Sequence, residues 1–130
     1  MGASSAGFHE AADELSAATK DMHRAIVSLM EELEAVDWYQ QRVDAAGDDE
    51  LRAILAHNRD EEIEHAAMVL EWIRRRNAKF DEELGTYLNT TGSVLEVEGV
   101  ATGASGGDGH AAASDSDEGS LRIGSLKGSK

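Results

Sequence analysis

Two polar clusters interrupt otherwise apolar helical patterns in this chain of 130 residues. In the stretch HNRDEEIEHAAM, Glu62 and His65 form a Glu-x-x-His motif, which on a helix places a carboxylate and an imidazole one turn apart on one face. In the segment MEELEAVDWYQQ, Glu32 and Tyr39 lie two turns apart on one helical face. Carboxylates and imidazoles are ligands suited to iron or manganese. The two segments therefore predict a metal site.

The elements that must position these residues are two helices and the turn between them. The segment AAGDDE predicts this turn, because Gly47 is suited to ending one helix and Asp48 to capping the next. Glu32 and Glu62 are each fifteen residues from Gly47. That separation is roughly 22 Å at ~1.5 Å per residue. An antiparallel hairpin would therefore bring the two carboxylates level, with His65 one turn beyond them.

Composition and apolar spacing predict an all-α fold. The chain has no Pro and is rich in Ala, Glu and Leu, which favour helices. A heptad seam predicts one helix from about His9 to Ala46 and a second that ends near Arg76. A short third helix from Ala78 to Leu88 and a brief segment from Val94 to Val97 are also expected. The seam of the first helix contains Phe8, Leu15, Met22, Leu29, Val36 and Val43.

Each long helix carries a second apolar stripe that a single hairpin cannot cover. Self-association is therefore expected. Di-metal sites in four-helix bundles take one Glu from each of two helices and a Glu-x-x-His motif from each of two others. A two-fold axis beside Glu32, Glu62 and His65 would complete this ligand set from two hairpins. The stripes consist of Ile26, Met30 and Leu33 on the first helix, and Ile63, Ala66, Leu70 and Ile73 on the second.

Charge and composition exclude several classes of partner and site. Residues 1–98 contain 22 of the 26 acidic residues and 9 of the 12 basic residues. This negative field repels phosphate backbones and attracts cations, so metal ions are expected and nucleic acid is not. The absence of Cys excludes disulfides and thiolate metal sites. No apolar run approaches membrane-spanning length and no signal-peptide pattern is present, so a cytosolic protein without a membrane partner is expected.

The chain beyond Glu98 differs in composition from the helical part. Eight of the thirteen glycines lie there, so residues 99–119 are expected to form a flexible linker after a helical domain of residues 1–98. Leu121, Ile123 and Leu126 then restore large apolar side chains within residues 120–130. This pattern predicts a C-terminal peptide that docks into a groove on another protein.

The stretches EELEAVDWY, AHNRDEEIEHAAM and LEWIRRR, together with the tail, resemble the encapsulated ferritins. This is a two-helix half-ferritin family carried inside encapsulin nanocompartments. The resemblance implies a hairpin that dimerises into a ferritin-like four-helix bundle, and dimers that form an annular decamer. It also implies a di-iron ferroxidase centre of Glu32, Glu62 and His65 shared across the dimer interface, with Tyr39 close to the metals. The expected reaction is oxidation of Fe(II) to Fe(III) with dioxygen.

The same resemblance suggests how iron arrives and where it is stored. It assigns Glu31 and Glu34 to an acidic approach site that holds iron, or other divalent metals, before they reach the centre. The C-terminal SLRIGSL matches the family's encapsulin-targeting peptide, with Arg122 where Gly is more usual. The expected location is the lumen of an encapsulin shell in the cytoplasm, where the oxidised iron is stored as mineral.

Two other functions are consistent with the sequence. A non-catalytic coiled-coil adaptor would explain the heptads but not their polar centre, and a different carboxylate-bridged di-metal oxidase or peroxidase, such as one of the rubrerythrin sort, would explain both. Two local assignments are also open. Glu61 or Glu64 would replace Glu62 if the helix were rotated, although the seam spacing favours Glu62. His57 either supports a metal site or lies on a solvated helix face.

Overall fold

The structure is a computed structural model that describes residues 6–106, and this part of the chain contains helices without strands. A 3-10 turn, Ala12–Glu14, is followed by helices α1 (Ala17–Ala45), α2 (Asp49–Arg76), α3 (Ala78–Tyr87) and α4 (Val94–Gly106). The all-α prediction is confirmed. No helix among these residues combines the length and the apolar character needed to cross a membrane. The predicted targeting peptide, with Leu121, Ile123 and Leu126, lies outside the described residues.

Helix α1 begins later than the sequence predicted. The heptad seam placed its start near His9, but the helix starts at Ala17. The side chain of Ser16 accepts a hydrogen bond from the backbone N–H of Thr19 at 3.0 Å, which caps the first turn. Leu15 has an extended backbone, with φ −99° and ψ 138°. The apolar spacing extends to residues before Ala17, but the helix begins only after the Ser16 cap.

The turn between α1 and α2 follows the predicted capping at Asp48 but not at Gly47. The Asp48 carboxylate accepts the backbone N–H of Leu51 at 2.8 Å, and the guanidinium of Arg52 donates to the carbonyl of Ala46. The chain leaves α1 at Ala46, whose backbone is extended with φ −69° and ψ 136°. A left-handed glycine therefore does not end the helix, and the hairpin is closed by the aspartate cap.

Helices α1 and α2 pack side by side and run in opposite directions. Gln40, near the end of α1, contacts Arg59 in the first half of α2, whereas Glu32, earlier in α1, contacts His65, later in α2. This reversed order of contacts identifies an antiparallel hairpin. At 29 and 28 residues, each helix is about 43 Å long at ~1.5 Å per residue. The predicted long hairpin is confirmed.

The chain divides into two compact units, Met1–Arg76 and Asn77–Lys130. In the second unit, the side chain of Asn77 caps α3 by accepting the backbone N–H of Phe80 at 2.8 Å. Helix α3 packs against α4. The predicted third helix is confirmed, with its end one residue earlier than expected. Helix α4 is longer than the brief segment predicted, because it continues through residues 99–106, where the sequence favoured a linker.

Large apolar side chains of the hairpin are exposed in the single chain. Among the described apolar residues, only Ala66, Ile73 and Val97 are buried. The predicted stripe of α1 is exposed, but in the stripe of α2 only Ile63 is exposed, because Ala66 and Ile73 are buried within the single chain. The exposed side chains support the expectation that another surface covers them. Dimerisation itself remains a prediction. The exposed set on α1 and α2 includes Ile26, Met30, Leu33, Trp38, Ile54, Ile63 and Met68.

Candidate metal centre

Three possible metal ligands converge at the middle of the hairpin. Glu32 comes from α1, and Glu62 and His65 come from α2. One ligand atom from each side chain lies within 4.8 Å of the other two. The Nδ1 atom of His65 is 3.3 Å from Oε1 of Glu62 and 3.7 Å from Oε1 of Glu32. Among the described residues, these three form the only group of three or more acidic or histidine side chains that lie close enough together to hold one ion.

The local sequence explains why these side chains meet. The spacing of three residues within α2 places Glu62 and His65 on one face. The aspartate-capped turn then sets the register at which α1 returns alongside α2. Because both helices rise by the same distance per residue, Glu32 reaches the level of Glu62. The structure thus brings together the three candidate ligands that the sequence predicted from turn position and motif spacing.

The two carboxyl groups strongly affect each other. The pKa of Glu32 is raised, first by its hydrogen bond with Glu62, then by partial burial and the negative charge of Glu62. The pKa of Glu62 is lowered, because its carboxylate accepts the hydrogen bond from Glu32 and also contacts His65. Of the two carboxyl groups, Glu32 is therefore the one that more readily takes up a proton. A divalent cation would compensate the negative charge that the two groups bring close together.

The donor set fits a hard or borderline metal ion. Two carboxylates and one imidazole are typical ligands for iron, manganese and zinc. The side chains of Glu32 and Glu62 are 25% and 24% exposed, while His65 is 48% exposed. The cluster is therefore open on one side. Three protein ligands from one hairpin leave further coordination positions for other groups.

The other predicted site residues do not join this cluster in the single chain. Glu31 and Glu34 are exposed on α1. The negative charge of Glu31 contributes to the raised pKa of Glu32, so Glu31 lies within electrostatic reach of the centre. Tyr39 is half-buried and lies beneath the guanidinium of Arg42, whose central carbon is 5.4 Å from the ring centroid. Their proposed roles in metal uptake and oxidation remain predictions.

The alternative acidic residues of α2 lie away from the three ligands. Nε2 of His57 is 3.0 Å from Oε2 of Glu61, and the two side chains are 68% and 53% exposed. Glu64 is also exposed. The helix is therefore oriented with Glu62 toward α1, as the seam spacing predicted. His57 lies on a solvated helix face and pairs with its neighbour one turn along the helix.

A family model described as EncFtn-like matches residues 7–91. The chain belongs to the EncFtn-like family. The resemblance inferred from the sequence motifs is confirmed. The match includes the whole hairpin and therefore all three residues of the cluster.

Individual relatives of this EncFtn-like chain extend the comparison. An "Encapsulated ferritin-like protein" from Rhodospirillum rubrum is 58% identical over 130 residues, which cover 98% of this chain and 93% of the relative. A "Ferritin-like protein" from Thermotoga maritima is 51% identical over 104 residues, covering 78% of this chain and 91% of the relative. The crystal structure of protein ne0167 from Nitrosomonas europaea shares 66% identity and superposes with a TM-score of 0.65, covering 67% of this chain and 96% of that one. Together with the cluster, these relatives support an iron-related, ferritin-like function.

Sequence reasoning missed one side-chain link between the helices of this EncFtn-like chain. Nη1 of Arg59 donates to Oε1 of Gln40 at 2.6 Å. The two residues are twelve and seven positions from Gly47, so they are not level in the hairpin. Only the length of the arginine side chain joins them. The sequence carried no signal for this link, because the spacing from Arg59 to Glu62 favours an ion pair within α2 instead.

Proposed function

We propose that this protein is a ferroxidase, which oxidises Fe(II) to Fe(III) with dioxygen at a di-iron centre shared by two copies of the chain. The convergence of Glu32, Glu62 and His65 is the observation that carries the proposal. These residues correspond to half of the ligand set of a ferritin-like di-metal site, which comprises four Glu and two His. Two hairpins related by a two-fold axis would supply the full set.

The exposed apolar side chains of the hairpin and the charges of the cluster support a shared centre. Covering these side chains with a second hairpin would bury apolar surface that one chain leaves in water. The same contact would bring four carboxylates together, which is costly unless cations neutralise them. Metal binding and dimerisation should therefore strengthen each other. The proposed further assembly, a ring of five dimers, rests on the family resemblance.

In the proposed reaction, iron is the substrate, each Fe(II) ion loses one electron, and dioxygen accepts the two electrons. Glu32 and Glu62 would hold iron in both oxidation states, because carboxylate oxygens are hard ligands that also suit Fe(III). His65 would complete the ligand set. Tyr39 would lie near the centre in the assembled dimer. Glu31 and Glu34 would attract cations toward it, because both are exposed carboxylates on the ligand-bearing helix.

The proposed destination of the oxidised iron is the lumen of an encapsulin shell. The Rhodospirillum rubrum relative is named as encapsulated, and the alignment with it covers 98% of this chain. Leu121, Ile123 and Leu126 would bind the shell protein through apolar contacts. Such a protein would deliver iron for mineral storage within the shell, in the cytoplasm.

Aerobic iron oxidation tests the catalytic proposal. Fe(II) is added to the full-length protein in the presence of dioxygen, and the appearance of Fe(III) is followed by near-ultraviolet absorption. The wild-type protein should oxidise iron well above the rate in buffer, and His65→Ala should not. A wild-type rate equal to that of buffer would favour the adaptor hypothesis. Faster oxidation with peroxide than with dioxygen would favour a peroxidase.

A further inference from the structure

Arg59 lies on α2 at a position from which its side chain could pair with Glu62, one of the proposed metal ligands. It precedes Glu62 by three residues, and side chains at this spacing are neighbours on a helix surface. The same spacing, with the cation first, is used by Lys79, whose Nζ is 3.4 Å from a carboxylate oxygen of Glu82. An arginine paired with Glu62 would compete with a metal ion for that carboxylate.

The guanidinium of Arg59 is instead held by two other partners. Nη1 donates to Oε1 of Gln40 at 2.6 Å. Nε and Nη2 both donate to Oδ1 of Asp60, at 3.0 and 2.8 Å. The contacts of Glu62 that affect its charge are with Glu32 and His65. The arginine charge is therefore directed away from the metal ligands.

The amide of Gln40 is oriented to serve as an acceptor. Its Nε2 donates to Oδ1 of Asp44, one turn along α1, at 2.9 Å. This bond uses the amide nitrogen and leaves Oε1 to accept from Arg59. The reverse orientation would face the amide nitrogen toward the guanidinium, donor against donor. Since Arg59 is only 25% exposed, the contact is sheltered from water and favours one arrangement.

We propose that Gln40 is a positioning residue that keeps Arg59 away from Glu62 and so leaves this carboxylate available to the metal. The inference rests on the proposed metal centre, but it concerns metal binding and not oxidation. Without the acceptor on α1, the guanidinium retains only the exposed carboxylate of Asp60, which is 63% exposed. It would then be free to pair with Glu62.

The test is a double-mutant cycle of Gln40→Leu and Arg59→Met, read by Co(II) titration of the full-length protein through the visible absorption of the bound ion. Gln40→Leu leaves the net charge unchanged and should weaken apparent Co(II) affinity by roughly two- to fivefold, the effect of one exposed ion pair. Adding Arg59→Met should restore the affinity. The restoration must exceed the effect of Arg59→Met in the wild-type background, which reports the loss of a positive charge alone.

Two variants separate this role from a general effect on the fold. Gln41→Leu is the matched control, because Gln41 also donates to an aspartate one turn away, Asp37, at 3.1 Å. It should leave Co(II) affinity unchanged. Gln40→Glu retains an acceptor for Arg59 and should bind Co(II) at least as tightly as the wild type. Helical circular dichroism of every variant checks folding.

Salt gives a further readout, since the competing ion pair would be screened. The defect of Gln40→Leu should become smaller as NaCl concentration rises. Unchanged affinity in Gln40→Leu, or weaker binding in the Gln40→Leu/Arg59→Met double variant than in Gln40→Leu alone, would overturn the inference. Because Co(II) binding requires no iron oxidation, a protein that binds Co(II) as described but does not oxidise Fe(II) would contradict only the ferroxidase proposal.

Discussion

Helix α2 carries two acid–histidine pairs that differ in their surroundings. His57 lies 3.0 Å from Glu61, a shorter separation than the 3.3 Å between His65 and Glu62. The first pair is exposed and involves one helix. Glu32 from α1 lies beside the second pair, with its carboxylate oxygen 3.7 Å from Nδ1 of His65. The carboxylates of Glu32 and Glu62 are mostly shielded from water.

The separation within a pair is therefore a poor guide to a metal site. An exposed pair on one helix contributes little and is readily separated by solvent and salt. The cluster at Glu32 is different, because the register of the hairpin holds it together. Two carboxyl groups brought together from two helices also gain more from a cation than an exposed acid that is paired only with its neighbour. Convergence from two helices is the property that indicates function.

Removing the acid of the second pair should have the largest effect on metal binding and iron oxidation. Removing the acid of the first pair gives the clearest contrast. Glu62→Ala should lower Co(II) affinity and iron oxidation by more than roughly 100-fold, since even the partners of metal ligands contribute about 10- to 100-fold. Glu61→Ala, on the adjacent residue, is the matched control and should change neither. Co(II) titration and aerobic Fe(II) oxidation measure both effects. Equal losses in the two variants would remove the distinction between the pairs.

The positions of the ligands followed from the sequence because helical geometry is regular. A capped turn and a constant rise per residue were sufficient to place Glu32 opposite Glu62. The predicted start of α1 was wrong, because the heptad spacing continues through Leu15 into residues that are not α-helical. Periodicity reports which residues face the core, whereas the Ser16 cap decides where the helix begins.

Contacts that depend on side-chain reach could not be predicted in the same way. Arg59 reaches toward the turn to contact Gln40, and no regular spacing relates the two positions. The extent of α4 was also missed. Glycines in residues 99–106 suggested a linker, but their helix penalty is only about 1 kcal/mol each, and the helix continues to Gly106.

The contrast between the hairpin and the C-terminal peptide predicts a separable effect. Truncation before Ser120 should abolish loading into an encapsulin shell, because burial of three apolar side chains at roughly 1.5–3 kcal/mol each is the expected attraction. The proposed metal ligands all lie within the unit that ends at Arg76, so iron oxidation should be unchanged. Co-expression with shell protein and gel analysis of isolated particles measure the loading. Full packaging of the truncated chain would show that the helical part docks.

The exposed acids of α1 should have an intermediate effect. Replacing Glu31 and Glu34 together by Ala should slow iron oxidation by at most roughly tenfold, as expected for loss of electrostatic attraction. The centre should still bind Co(II). Stopped-flow oxidation and equilibrium titration distinguish the two quantities. Loss of Co(II) from the centre in this double variant would show that the approach site and the ligand set are not separate.

An ion cluster away from the metal centre should have the smallest effect. Hydrogen bonds from Arg74 and then Arg75 lower the pKa of Glu71 to about 2. Because the pKa of Glu71 in the folded protein lies below its ordinary value of 4.5, the stabilisation is present above pH 4.5 and is lost as pH falls toward about 2. Thermal unfolding of Glu71→Gln and wild type should differ slightly at pH 7 and converge near pH 2. A difference that grows on acidification would contradict this assignment.

The location of metal in crystals grown with Co(II) tests the central claim most directly. Anomalous scattering at the cobalt edge identifies each ion and the chains that bind it. We predict two ions for each pair of chains, coordinated by Glu32, Glu62 and His65 from both copies, with weaker signal at His57 and Glu61. Ions held within one chain alone, or a dominant signal at His57 and Glu61, would contradict a centre shared between two hairpins.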